Sequence, residues 1–126
     1  MKVLIVESDL GFVFWLGQAL DKAGYASMPA KNVSDAFSVI SDFDLTVGLL
    51  IVNPRLPGAA VLADLVHRSA PGAWVIGLTD NPTTLAAFPW VDSYQSKPKT
   101  RTEIAKLEWL QIIQAHEMVK TLVPWR

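Results

Sequence analysis

Short hydrophobic runs alternate along the chain with longer segments in which apolar residues recur at helical spacing. Continuous apolar runs of four to eight residues, free of internal prolines, are typical of parallel strands that are buried on both faces. Such runs occupy residues 3–6, 49–52 and 74–78, and less apolar segments that could also form strands occupy residues 25–30 and 91–95. The pattern therefore predicts five strands.

A helix is predicted after each strand, because apolar residues there are spaced three and four apart. The predicted helices cover residues 12–23, a segment capped by Asn32 or Ser34, and residues 59–69, 83–87 and 102–122. Strands that alternate with helices at this spacing predict an α/β fold of the (βα)5, doubly wound type, in which right-handed crossovers cover a five-stranded parallel sheet on both sides.

Composition narrows the class of protein. The chain has 126 residues, of which 51% are hydrophobic and 18% are charged, so we interpret residues 1–126 as one globular domain with no separate output domain. The net charge of −1 and the isoelectric point near 6.0 provide no basic surface for a phosphate backbone. We therefore expect no nucleic-acid partner.

The cellular location is predicted from the absence of cysteine and of an early signal or membrane segment. The chain contains no cysteine, which excludes disulfides, thiolate metal sites and thiol catalysis. The first apolar run is broken by Glu7, too early for a signal peptide or a membrane span. We expect a cytoplasmic protein with no membrane partner.

Polar side chains follow the predicted strands at the point where each strand ends. Ligand and catalytic sites of open parallel sheets lie beyond the carboxyl ends of the strands, near the switch in strand order. The polar residues at these ends are Glu7, Ser8 and Asp9 after the first strand, Asn53 after the third, Thr79 after the fourth and Lys97 after the fifth. We expect them to form one pocket.

Four segments together resemble the receiver domains of two-component response regulators, and the resemblance covers nearly the whole chain. They are residues 3–9 (VLIVESD), 50–58 (LIVNPRLPG), 75–79 (VIGLT) and 94–98 (YQSKP). The resemblance implies the flavodoxin-like receiver fold with strand order 2-1-3-4-5 and a role in phosphorelay signalling.

The position of Asn53 is, in that family, an aspartate that attacks a phosphoryl group. An amide is neutral and a poor nucleophile, so we do not expect an acyl phosphate to form here. Spontaneous deamidation to aspartate is also blocked, because the usual route needs the next backbone N–H and Pro54 has none. The chain resembles a pseudo-receiver.

The resemblance also implies a Mg²⁺ site, which in the family uses acids at the positions of Glu7 and Ser8. Only Glu7 is acidic here, with Asp9 one residue beyond Ser8. Because Mg²⁺ favours carboxylate oxygens, we expect its binding to be weak or absent, with no other cofactor. The opposite charges of Glu7 and Lys97 could pair and leave the pocket neutral without an ion.

Thr79 and Tyr94 match the family positions that rearrange on phosphorylation, but we favour the simpler interpretation that Thr79 bonds to backbone at a strand end and Tyr94 packs as a half-buried aromatic. Lys97 and Pro98 match a pair whose peptide bond is commonly cis in the family. The isolated residues His67 and His116 are interpreted as ordinary helix residues, not metal ligands.

Apolar residues outside the predicted core indicate a protein interface. Val13 and Phe14 fall outside the apolar stripe that we assign to the first helix. The last helix is apolar over more of its surface than one sheet contact needs, including Trp109, Ile112 and Ile113. A two-fold homodimer would bury such a patch on both copies.

The leading hypothesis is a signalling module, not an enzyme, that binds a histidine kinase, a regulator or itself without being phosphorylated. The segment between Thr79 and Lys97 is short for a receiver and suggests an altered partner or an altered dimer. Three alternatives stay open: a phosphoryl acceptor that uses Glu7, Asp9 or another carboxylate, a small-ligand sensor in the vacated pocket, and an unrelated flavodoxin-like enzyme.

Overall fold

The computed structural model describes residues 1–80 and 88–122, with side chains described up to Met118. Five strands are present in this part of the chain: β1 Lys2–Val6, β2 Ala26–Ala30, β3 Leu49–Val52, β4 Trp74–Thr79 and β5 Ser93–Ser96. Four helices accompany them: α1 Leu10–Lys22, α2 Val33–Asp42, α3 Ala59–Ser69 and α4 Glu103–Leu122.

All five strands are parallel and lie in the order β2-β1-β3-β4-β5. The predicted doubly wound α/β fold and its strand order are confirmed. The helix predicted over residues 83–87 lies outside the described residues, as does Trp125.

Alternate residues of the buried strands face opposite sides of the sheet and form two separate hydrophobic clusters. Leu4 and Leu50 belong to the cluster covered by α2 and α3, whereas Ile5 and Ile51 belong to the cluster covered by α1 and α4. The near-complete burial of both faces explains why these strands are continuous apolar runs.

Three helix starts are fixed by side-chain caps, and the one before α4 is Thr102, whose hydroxyl accepts a hydrogen bond from the Ala105 N–H at 3.1 Å. Asp9 accepts a hydrogen bond from the Phe12 N–H at 3.2 Å, and Asn32, one of the two predicted caps, accepts one from the Asp35 N–H at 2.7 Å. Each cap satisfies an N–H that would otherwise lack a partner in the first turn of a helix.

Several strand boundaries differ from the prediction by one or two residues, and backbone hydrogen bonds explain the later starts of β2 and β5. β2 begins at Ala26 because the N–H of Tyr25 still bonds to the Leu20 carbonyl at the end of α1. β5 begins at Ser93, not at residue 91, because the Val91 N–H closes a turn onto the Phe88 carbonyl.

The long last helix extends to the amino-terminal edge of the sheet. Tyr25 donates a hydrogen bond to Glu117 at 2.9 Å, and the His116 ring stacks on Trp74 with centroids 3.8 Å apart. His116 therefore has a packing role. Among the residues described, none of the helices has the length and apolarity needed to span a bilayer.

Candidate functional site

The carboxyl ends of β1, β3, β4 and β5 bring together most of the residues predicted to form a pocket. A cavity of about 70 Å³ is lined by Glu7, Asn53, Thr79 and Lys97, together with Arg55, Leu78 and Asp80. The register of the central strands places Val6 beside Val52, so the residues that follow them, Glu7 and Asn53, are neighbours.

Glu7 is the only charged residue that is buried in the described part of the chain, with 1% of its surface exposed. One carboxylate oxygen, Oε1, accepts hydrogen bonds from the Ser8 N–H at 2.8 Å, the Ser8 hydroxyl at 3.3 Å and the Asn53 amide at 3.3 Å. The other oxygen, Oε2, lies 2.8 Å from Nζ of Lys97. Both oxygens are therefore engaged by groups of the same chain.

These contacts decide the charge state of the pair. Burial alone would raise the pKa of Glu7, but the hydrogen bonds from Lys97, Asn53 and Ser8 together outweigh it and hold the pKa below its ordinary value. The hydrogen bond to Glu7 raises the pKa of Lys97, and burial of the ammonium opposes this only in part. At neutral pH the pair is charged on both sides.

Asn53 is held by hydrogen bonds at both ends of its side-chain amide. Its nitrogen donates to Glu7, while its oxygen accepts the Arg55 N–H at 3.0 Å. This orientation follows from the chemistry, since a carboxylate can only accept and a backbone N–H can only donate. A carboxylate at this position would face the Glu7 carboxylate, so the amide fits the site better than an acid would unless a cation were added.

Asp9 links the pocket to the start of the last helix. Its carboxylate lies 3.3 Å from the Arg101 guanidinium and 3.8 Å from Nζ of Lys97. The Arg101 guanidinium also lies over Gly11, where an added Cβ would be only 3.0 Å from it. Two cations of the chain, Lys97 and Arg101, thus neutralise the two acids that follow β1.

Two predicted switch residues lie apart from one another. Thr79 lines the cavity, whereas Tyr94 is half-buried over Gly77 and donates a hydrogen bond to the Phe88 carbonyl at 3.4 Å. No peptide bond in the described residues is cis, so the Lys97–Pro98 bond is trans and the cis expectation was wrong.

The predicted interface residues need correction. Val13 is fully buried, because it lies three residues before Leu16 and so shares the core stripe of α1; the interpretation of Val13 as a surface residue was wrong. Phe14 is 57% exposed, as expected. Trp109 and Ile113 lie one turn apart on the inner face of α4 and are buried.

Burial of Trp109 and Ile113 against the sheet removes them from any interface with another protein. Ile112 is half-buried beside Pro98, in a separate cavity of about 110 Å³. Among the α4 side chains that the structure describes, the exposed large apolar ones are Ile104, Leu107 and Met118.

The sequence did not indicate that Arg101 belongs to the site, although it lies only four residues after Lys97. Its contact with Asp9 spans 92 positions of sequence, and such a pairing has no local signal. His67 lies 3.9 Å from Asp92, and no group of three or more histidine or acidic residues able to hold a metal occurs within the described ranges.

Comparison with known proteins places this geometry in a structural group. No protein-family model matches the chain, and no curated protein is similar to it in sequence. Among solved structures, a chemotaxis response regulator of Vibrio cholerae superposes with a TM-score of 0.68 at 17% identity, over 89% of this chain and 97% of that one. A two-component response regulator of Clostridium difficile gives 0.65 at 20% identity, over 98% and 96%.

A third structure, a response regulator of Thermotoga maritima determined with Mg²⁺ and beryllium fluoride, gives a TM-score of 0.62 at 21% identity, over 83% of this chain and 93% of that one. Sequence identities this low support a shared fold but do not show a shared activity. The chain therefore has the fold of response-regulator receiver domains.

Proposed function

We propose that this chain is a receiver-like module of two-component or phosphorelay signalling that acts by binding other proteins and is not phosphorylated at Asn53. The observation that carries the proposal is the hydrogen bond from the Asn53 amide to Glu7, whose carboxylate is also paired with Lys97. The acceptor position is neutral, and the acid beside it already has a cation. The module would act in the cytoplasm and would catalyse no reaction.

We also propose that the pocket works without Mg²⁺. Both oxygens of Glu7 and the oxygen of Asn53 already accept hydrogen bonds or an ion pair. Asp9 is engaged by the Arg101 guanidinium. Since Mg²⁺ needs oxygen ligands in near-octahedral geometry, it would have to displace Lys97 to reach the one buried carboxylate. The residues present do not fit the ion.

The alternatives have less support from the geometry. Glu7 is 1% exposed and both its oxygens are engaged by Ser8, Asn53 and Lys97, which makes it a poor phosphoryl acceptor, while the Asp9 carboxylate caps α1 and pairs with Arg101. A cavity of about 70 Å³ is also small for a ligand sensor, because small-molecule sites usually measure about 300–1,000 Å³.

The test is incubation with acetyl phosphate and Mg²⁺, followed by intact mass measurement. We expect the natural protein to stay unmodified, while Asn53→Asp combined with Ser8→Asp gains one phosphoryl group because both missing acids are restored. A phosphorylatable receiver in a parallel reaction controls for the donor. A phosphoryl group on the natural protein would show the proposal to be wrong.

Metal binding is measured separately by calorimetric titration with MgCl₂. The natural protein is expected to give no saturable heat at millimolar Mg²⁺, and the double variant is expected to bind. Saturable binding to the natural protein would contradict the metal-free pocket and leave the loss of phosphorylation to be judged by the mass measurement alone.

A further inference from the structure

An open groove lies between the start of α1, the end of β2 and α2. Its volume is about 390 Å³, and three of its lining residues are exposed large hydrophobic side chains: Leu10 at 42%, Phe14 at 57% and Phe43 at 63%. Exposed apolar side chains that line a common concave surface indicate a binding site more strongly than scattered ones.

A second cavity continues the groove along α1. It has a volume of about 170 Å³ and shares two lining residues, Phe14 and Pro29, with the first. The Phe14 side chain therefore stands between two depressions. Together they form one apolar groove beside β2, which we call the α1–α2 groove.

Acidic residues predominate at the α1–α2 groove. Asp35 and Asp42 line the first depression and Asp21 lines the second, against one base, Lys31. The whole chain carries a net charge of only −1, so this local excess of acid is not a property of the entire surface. A partner with basic side chains beside its apolar ones would be complementary to the groove.

The open edge of β2 does not favour an added strand. The Ala30 carbonyl accepts the Glu7 N–H, so the backbone polar groups of Ala30 point toward β1. Backbone groups alternate in direction along a strand, so those of Ser27 and Pro29 point outward, away from the sheet. The Ser27 N–H is already bonded to Asp21 at 3.2 Å, and Pro29 has no N–H. Neither outward residue can donate to a new strand, as in edges protected against pairing.

We propose that the α1–α2 groove binds an amphipathic helix of a partner protein that carries basic residues beside its apolar face. This inference rests on the proposed function, since it assigns a surface to the protein binding. A helix places apolar anchors at i, i+3, i+4 and i+7, and such anchors would fill the depressions on the two sides of Phe14.

A second copy of this chain is a poorer occupant. A two-fold contact through the groove would bring each acidic rim close to its symmetry mate. The facing carboxylates of Asp35 and Asp42 would then repel one another, so self-association would lose the charge complementarity that a basic helix gains.

The test uses a fluorescent, idealised helical peptide with leucine at i, i+3, i+4 and i+7 and lysine elsewhere, measured by fluorescence anisotropy. We expect Phe14→Ser and Phe43→Ser each to weaken binding about tenfold, the effect of about 1.4 kcal/mol. Leu107→Ser is the control, because Leu107 on α4 is 54% exposed, close to the 57% of Phe14, but lies outside the groove, and it should leave binding unchanged. Asp35→Asn with Asp42→Asn should weaken binding severalfold and reduce its salt dependence.

Three results would overturn the groove proposal: no binding of the lysine peptide, equal binding of a peptide with glutamate in place of lysine, or equal loss from Leu107→Ser and Phe14→Ser. Sedimentation that shows a dimer dissociated by Phe43→Ser would also overturn it, in favour of a second copy. The mass measurement with acetyl phosphate is independent, so the proposed function can hold when the groove proposal fails.

Discussion

Nζ of Lys97 lies 2.8 Å from a carboxylate oxygen of Glu7, although the two residues follow strands at different positions in the sheet. Glu7 is buried and Lys97 keeps 28% of its side chain exposed. The ion pair therefore neutralises the buried carboxylate of the pocket with a lysine of the same chain.

Removal of Lys97 should destabilise the protein more than removal of a lysine of similar exposure elsewhere. Lys97→Met leaves the Glu7 charge buried without its partner, and we expect a loss of about 3 kcal/mol in the free energy of unfolding in urea at pH 7. The control is Lys106→Met, because Lys106 is 24% exposed but pairs with an exposed Glu103.

The control should change stability by less than about 1 kcal/mol. Glu7→Gln added to Lys97→Met should recover part of the loss, because no buried charge remains. Equal effects of the two lysine variants would contradict the assigned importance of the pair.

Stability should fall in acid in a way that depends on Glu7. Its pKa is lowered in the folded state, so its contribution is complete above the ordinary glutamate value of about 4.3 and is lost as the pH falls through the lower folded value. The natural protein should therefore lose more unfolding free energy than Glu7→Gln between about pH 5 and pH 3. Parallel pH profiles for the two proteins, from urea midpoints, would refute the assignment.

Gly77 should not tolerate a larger side chain. A Cβ there would be 3.0 Å from both the Tyr94 ring and Val91, so Gly77→Val must move packed side chains and is expected to cost about 1–3 kcal/mol. Gly17→Ala is the matched control, because its Cβ would meet only Ser27 at 3.4 Å within a helix. Alanine there should be neutral or stabilising by up to about 1 kcal/mol. A neutral Gly77→Val would mean that Tyr94 is not packed as described.

Tyr25 should ionise at unusually high pH. Burial, and then the hydrogen bond to Glu117, raise the pKa of Tyr25 to about 12. Glu117→Gln removes the negative charge beside the phenol, so the pKa should fall while burial keeps it above the ordinary value. Ultraviolet titration of tyrosinate measures this, and Tyr25→Phe identifies the signal among the two tyrosines. An unchanged titration in Glu117→Gln would exclude the contact.

The centre of the sheet could be predicted because β1, β3 and β4 are almost entirely buried on both faces and so appear as uninterrupted apolar runs, whereas the edge strands β2 and β5 are only partly buried and gave weaker signals. The bounds of β3 are those of the predicted run, Leu49–Val52. Val13 was misassigned because a helix packed on a sheet buries a wider stripe of its surface than the apolar stripe that the sequence pattern predicted for α1.

The pocket was partly predictable for a related reason. Residues that end parallel strands meet at one edge of the sheet, so Glu7, Asn53 and Lys97 could be grouped from the sequence. The role of Arg101 could not, because it depends on how the loop before α4 folds over Asp9. Surface grooves such as the one beside Phe14 depend on the relative placement of helices, which a sequence pattern does not specify.

The central claim is that the pocket does not respond to phosphoryl donors, and amide NMR tests it most directly. The ¹H–¹⁵N spectrum would be recorded before and after addition of acetyl phosphate with Mg²⁺. We predict unchanged resonances for Asn53, Thr79 and Lys97 in the natural protein, and shifts at these residues in Asn53→Asp combined with Ser8→Asp. Shifts at the same residues in the natural protein would contradict the account.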